Sequence, residues 1–243
     1  MRSLSHHEAA ILEKGFTIIN NVFSLEEIDA IIAVIETSTR TKAGFKEDNN
    51  IYAIRNFFKE VPTAPHLIFT EKLNAYIKGL FGEDYFVVKS IYFDKPQGSN
   101  WFVSYHQDLT ISVNSKADVT DFGPWSVKKD QYTVKPPLNI LEQNFTIRIH
   151  LDDTDEGNGA LRVVPGSHLK GECRSEHIDW QVEQEDVCRV PKGGIMIMKP
   201  LLLHASSRTV NGSRRRVVHI EFSNQELPKP LFWSENLQYI ERN

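Results

Sequence analysis

Cysteine is scarce in this 243-residue chain: Cys173 and Cys188 stand fifteen apart with no Cys-x-x-Cys pair, which argues against a disulfide framework and against a thiolate zinc site. No apolar run approaches the roughly 18 residues of a membrane span. The opening Met1-Arg-Ser-Leu-Ser-His-His-Glu8 also lacks the apolar core of a secretory signal. Two reduced thiols, no membrane association and a cytoplasmic location are therefore expected. Excess positive charge is missing too. The 28 basic against 32 acidic side chains leave a net charge of −4, so nothing draws the chain to nucleic acid or to an anionic membrane. Internal repeats and low-complexity tracts are absent.

What is present is ordinary for a globular protein, with 40% hydrophobic and 25% charged residues, enough for a sizeable core. The first third reads helical. Ser5-x-x-Glu8 has the pattern of a capping box, with Gly15 to end the helix and strand-like Phe16-Thr-Ile-Ile19 after it. Ser24-Leu-Glu-Glu27 repeats the capping signal ahead of Ile28, Ile31, Ile32 and Ile35, a spacing that puts one apolar stripe on a helix in need of a sheet to cover. Residues 37–50 are polar and breaker-rich and read as a loop, and a further helix is predicted over 71–81.

From residue 84 the pattern changes to short β-rich runs at 85–93, 102–108, 145–151, 161–164, 187–190, 195–198 and 215–222. Helices do not alternate with these strands, so a double-sheet jelly roll is expected rather than a parallel α/β sheet. Residues 1–243 then form one domain, with 1–83 as a helical buttress and 84–243 as the barrel. Residues 114–137 form a long irregular connection containing Gly123-Pro-Trp125 and Pro136-Pro137, expected to be a lid over a site. Trp125 would contact substrate or cosubstrate from that lid, or else anchor the loop to the barrel.

His106 and Asp108 lie two apart in Trp101-Phe-Val-Ser-Tyr-His-Gln-Asp-Leu109, so on a strand both side chains leave the same face and can reach one metal ion. His204 follows an apolar run, Leu201-Leu-Leu203, where a barrel interior has little use for a polar group unless it has a task. Arg214-Arg-Arg216 opens a later strand, and alternation puts Arg215 on one face with Val217 and His219, and its two neighbours on the other with Val218, Ile220 and Phe222. Arg214 and Arg216 are expected at the surface or in an interface, and Asp152 and Asp153 in a turn.

The segments Tyr105-His-Gln-Asp108, His150-Leu-Asp-Asp153, Gly157-Asn-Gly-Ala-Leu161, Val164-Pro-Gly-Ser-His168, Leu203-His-Ala-Ser206 and Arg215 together resemble the phytanoyl-CoA dioxygenase family of non-haem iron oxygenases. The resemblance implies a double-stranded β-helix, the cupin-like jelly-roll variant, with His106, Asp108 and His204 holding Fe(II). It also implies 2-oxoglutarate and O2 as cosubstrates. Arg215, eleven after the distal histidine, would clamp the far carboxylate of 2-oxoglutarate with help from Ser206, which is otherwise an ordinary loop serine. An aspartate at 108 points to hydroxylation, since halogenating relatives carry a small residue there. Iron is implied by the family alone, because two imidazoles and a carboxylate suit Mn(II) or Zn(II) as well.

Carbon hydroxylation of a small or medium metabolite, with release of succinate and CO2, is the expected reaction. A non-catalytic cupin-like metal sensor and a metal-dependent hydrolase or isomerase are the alternatives. Arg148 shares a strand face with Thr146 and His150, and contact with cosubstrate and a structural ion pair are both open to it. His168 reads as structural, in a turn shaped by Gly166.

Overall fold

The computed structural model describes residues 2–41, 52–99, 101–128 and 131–239. Its helices are α1 (Arg2–Lys14), α2 (Leu25–Thr41), α3 (Phe57–Glu60), α4 (Ala64–Ile68), α5 (Glu71–Phe81) and α6 (Leu138–Gln143). Its strands are β1 (Phe16–Ile19), β2 (Tyr52–Arg55), β3 (Phe86–Lys95), β4 (Val103–His106), β5 (Ile111–Val113), β6 (Trp125–Lys128) and β7 (Gln131–Val134), then β8 (Phe145–His150), β9 (Leu161–Val163), β10 (Asp186–Cys188), β11 (Ile195–Met198), β12 (His204–Ser206) and β13 (Arg215–Ser223).

Among the described residues these strands form three antiparallel sheets, in the orders β1-β11-β8-β13-β3-β2, β10-β9-β12-β4 and β5-β7-β6. The first two enclose a cavity lined from both, by residues of β3, β8 and β13 on one side and β4, β9 and β12 on the other. This is the expected jelly roll. The amino-terminal third does more than buttress it, because β1 and β2 form the two edges of the six-stranded sheet.

Alternation sorts the six-stranded sheet into two faces. Outward-facing Val218, Ile220 and Phe222 of β13 and Phe145, Ile147 and Ile149 of β8 join Ile28, Ile31 and Ile35 of α2 in one buried cluster, so the isoleucine stripe finds its sheet. The predicted capping box opens α2: Ser24 N–H donates to Glu27 Oε2 at 2.7 Å and Glu27 N–H to Ser24 Oγ at 3.2 Å. Thr70 caps α5 by accepting from Leu73 N–H.

Three expectations need correction. Helix α1 begins at Arg2, so Ser5 lies inside it, and Leu4 reaches Gly79 of α5, a contact that draws the helix back towards the amino terminus. Helix α2 continues to Thr41 through residues read as loop, helped by Thr37 Oγ1 donating to Ala33 O at 2.8 Å; residues 42–50 of that reading lie outside the described residues.

Thirdly, 114–137 is not structureless. It supplies β6 and β7, which pair with each other and with β5 into a sheet over a second core of Val113, Val134, Ile140 and Leu201. None of these residues lines the cavity, so the lid expectation finds no support, and Trp125 sits on β6 packed against this second core. No helix among the described residues is long and apolar enough to cross a membrane.

Candidate metal centre

The strand carrying the first histidine ends with it, and Asp108 follows just beyond, where its backbone N–H donates to Pro200 O at 2.9 Å. Between them Gln107 points away from the cavity. Its amide donates to Leu201 O at 2.6 Å and Gly171 O at 2.8 Å and accepts from Cys173 N–H at 2.8 Å, pinning the segment that presents His106 and Asp108. His204 opens β12 and stands opposite His106 in the antiparallel register. The Pro-Gly-Ser-His edge holds the residue before it, since Leu203 N–H donates to Ser167 Oγ and Val164 N–H to Leu203 O. Sequence reasoning missed Gln107 and Ser167 as positioning groups, and their polarity within buried segments was the available signal.

The structure thus brings His106, Asp108 and His204 together, with one ligand atom from each lying within 4.8 Å of the others. His106 Nε2 is 3.9 Å from Asp108 Oδ1, and His204 Nε2 is 3.8 Å from Asp108 Oδ2. Each imidazole uses Nδ1 on a backbone carbonyl, His106 on Ser104 O at 2.9 Å and His204 on Leu202 O at 2.8 Å. A carbonyl only accepts, so Nδ1 carries the proton in both rings and the Nε2 lone pairs face the shared space. Burial lowers His204 to about 4, which keeps it neutral at physiological pH. Desolvation works against the Asp108 carboxylate, yet His204, His219 and Lys89 outweigh it and hold Asp108 below the usual carboxylate range. Two imidazole nitrogens and an ionised carboxylate make a donor set for a divalent cation.

Arg215 is buried at the start of β13 and faces this cavity, whereas Arg214 and Arg216 face away, as alternation predicts. One Nη of Arg215 donates to Gly159 O, the other lies 3.5 Å from Ser206 Oγ, and its buried Nε has no partner. Burial lowers it to about 9, leaving it charged. Ser206 is not a loop residue: it ends β12, is buried, and donates to Gly159 O at 3.0 Å. The surface expectation for Arg216 fails, because it makes a two-pronged ion pair with Asp152 at 2.7 and 2.9 Å, which makes that aspartate more than a turn residue. Arg214 pairs with Asp94. His168 is structural, with Nε2 on Leu12 O and its ring against Gly15.

Sequence reasoning also passed over Lys89, Lys95 and Glu221, which line the same cavity. Lys89 and Lys95, six apart and so on the same strand face as Ile91 and Phe93, were the signal.

The profile of the phytanoyl-CoA dioxygenase (PhyH) family matches residues 11–217. The chain belongs to this family. This PhyH chain is 27% identical over 172 residues to a probable alpha-ketoglutarate-dependent hypophosphite dioxygenase of Stutzerimonas stutzeri, covering 65% of this chain and 51% of the relative. It is 25% identical over 185 residues to an ectoine dioxygenase of Bordetella parapertussis, covering 71% and 53%. The match thus spans about half the length of these relatives.

Among solved structures, EctD from S. alaskensis with 2-oxoglutarate and 5-hydroxyectoine is similar at a TM-score of 0.68 and 15% identity, over 93% of this chain and 78% of that one. The epimerase SnoN in complex with Fe3+, alpha ketoglutarate and nogalamycin RO is similar at 0.68 and 13% identity, over 97% and 93%. These likenesses carry the fold.

Proposed function

We propose that this chain is an Fe(II)- and 2-oxoglutarate-dependent dioxygenase that hydroxylates a carbon of a small or medium metabolite. The observation that carries the reading is one cavity containing both parts: three convergent donors with the histidine tautomers fixed, and beside them a buried arginine whose charge no carboxylate of the described residues meets. His106, Asp108 and His204 would hold the iron, and a site with three protein donors would leave the metal accessible to cosubstrate. Arg215, with Ser206 and the Gly159 carbonyl fixing its guanidinium, would take the distal carboxylate of 2-oxoglutarate. Bound iron and cosubstrate supply the oxidising power drawn from O2, with succinate and CO2 released. The walls contributed by Ile91, Phe93, Trp101, Val103 and Leu161 limit water around the reacting carbon.

The relatives' names support small molecules as substrates. The cavity, about 140 Å³, suits that scale better than a peptide or a nucleic-acid strand. One domain over 1–243, cytoplasmic and without nucleic-acid or membrane partners, belongs to the same reading.

The test is 2-oxoglutarate binding and succinate formation by purified protein supplied with Fe(II), ascorbate and O2, with Asp108→Ala as control. Saturable binding and slow succinate release, both lost in D108A, are expected. Failure to bind 2-oxoglutarate at all would favour the sensor or the hydrolase.

A further inference from the structure

Four cationic side chains line the cavity, Lys89, Lys95, Arg148 and Arg215, against two carboxylates, Asp108 and Glu221. That is an excess of two positive charges, and Fe(II) with 2-oxoglutarate, being equal and opposite in charge, leaves it unchanged. Lys89 is satisfied by Glu221 at 2.7 Å, and Lys95 donates to Ser207 O near Arg215. Arg148 is the cation left for a further ligand. It is buried on β8, no carboxylate of the described residues pairs with it, and its Nε has no partner. Burying a guanidinium with no carboxylate in contact is unfavourable, and an arriving anion would offset that cost.

Its placement is built rather than incidental. Arginine can only donate, so Arg148 Nη1 donates to His219 Nδ1 at 3.0 Å, which puts the imidazole proton on Nε2 for donation to Glu221 Oε1 at 3.1 Å. The same Glu221 oxygen accepts from Lys89. A chain across β8, β13 and β3 thereby fixes the guanidinium, which also lies 6.0 Å from the centre of the Phe93 ring. It shares the cavity with Arg215 and its charge acts on that guanidinium, but the two are anchored at different points of the sheet. Arg148 stands opposite His219, four residues along β13 from Arg215, about 13 Å in backbone terms. It is on the side of the triad, since Asp108 is among the charges that act on it.

We infer that Arg148 is the substrate's anchor and that the substrate is a small organic oxyanion, with a carboxylate, phosphonate or sulfonate on the guanidinium and a short apolar body against Phe93, Ile91 and Trp101. This rests on the oxygenase reading and goes beyond it in naming the substrate class. Bidentate pairing of a planar guanidinium with such a head group gives both charge and direction.

The experiment uses protein loaded with Fe(II) and saturating 2-oxoglutarate, without O2, titrated calorimetrically with butyrate, butylphosphonate, butanesulfonate, butanol and butylammonium. Expected is binding of one or more of the three anions at least tenfold tighter than butanol or butylammonium. Arg148→Gln should weaken the anions at least tenfold, Arg148→Lys should restore part of the loss, and 2-oxoglutarate affinity should stay within threefold in both variants. Absence of head-group selectivity in the wild-type protein overturns the inference, and this arm stands even if the variants do not fold. Equal weakening of 2-oxoglutarate and anion in R148Q also overturns it, by giving Arg148 to the cosubstrate. Failure of the wild-type protein to bind 2-oxoglutarate sinks the oxygenase reading instead, so the two failures are distinguishable.

Discussion

Arg215→Gln tests the proposed 2-oxoglutarate clamp. The guanidinium is 5% exposed, tethered to Gly159 O and Ser206, with Nε free inside the protein. Removing one side of a buried, hydrogen-bonded charge pair costs about 2–5 kcal/mol of binding, a loss of about 30- to 4000-fold in affinity at roughly 1.4 kcal/mol per tenfold. The same burial lowers the Arg215 pKa, which means the empty site is strained by this charge. Gln relieves that strain, so the ligand-free variant should melt no lower than the wild-type protein. Calorimetric titration of the Fe(II)-loaded protein with 2-oxoglutarate, alongside thermal unfolding, reads both effects. Arg216→Gln is the contrasting variant: it breaks the ion pair with Asp152 and should lower stability without touching cosubstrate affinity. If R215Q binds 2-oxoglutarate within threefold of wild type while R216Q or R214Q does not, the clamp lies on the other face of β13 and the reasoning fails.

Glu235 gives a pH test away from the metal: burial raises it to about 7, although Ser90 Oγ donates to it at 2.8 Å. The native state therefore keeps a proton that the unfolded chain has lost, so stability falls as pH rises from about 4.5 to 7, by at most about 3 kcal/mol at roughly 1.36 kcal/mol per unit. Glu235→Gln should raise the urea midpoint at pH 8 and leave it unchanged at pH 4; an equal shift at both would refute the assignment. Gly159→Ala places a Cβ 2.6 Å from both Lys95 Nζ and Ser207 O, at a residue with φ +83°. It should cost about 2 kcal/mol or more of stability and weaken 2-oxoglutarate binding, because the same carbonyl holds Arg215 and Ser206, while metal titration of the folded fraction stays as in wild type.

The strands that line the cavity were legible because a half-buried strand writes its two faces as alternation. β8 and β13 each came within one residue of the pattern. The isoleucine stripe of α2 was legible for the same reason at helical spacing. β6 and β7 were not, although Trp125/Val127 and Tyr132/Val134 alternate, because the sheet covers a small core and Val127 stays exposed, so glycine and proline dominated the reading. Arg216 was misread because its partner lies 64 residues away and nothing local distinguishes a paired arginine from a solvated one.

The sequence by itself determined the residue types and their faces: His106 and Asp108 near one another, Arg215 inward, and an apolar framework of short antiparallel strands. Those properties follow from side-chain chemistry and a period of two, which any stretch of chain carries with it. The tertiary structure decided that His204 stands opposite His106, that both imidazoles surrender Nδ1 to carbonyls, and that Arg148, His219, Glu221 and Lys89 join across three strands. Such pairings depend on register between segments far apart in the chain, and register is a property of the assembled sheet, settled by which apolar faces it can bury.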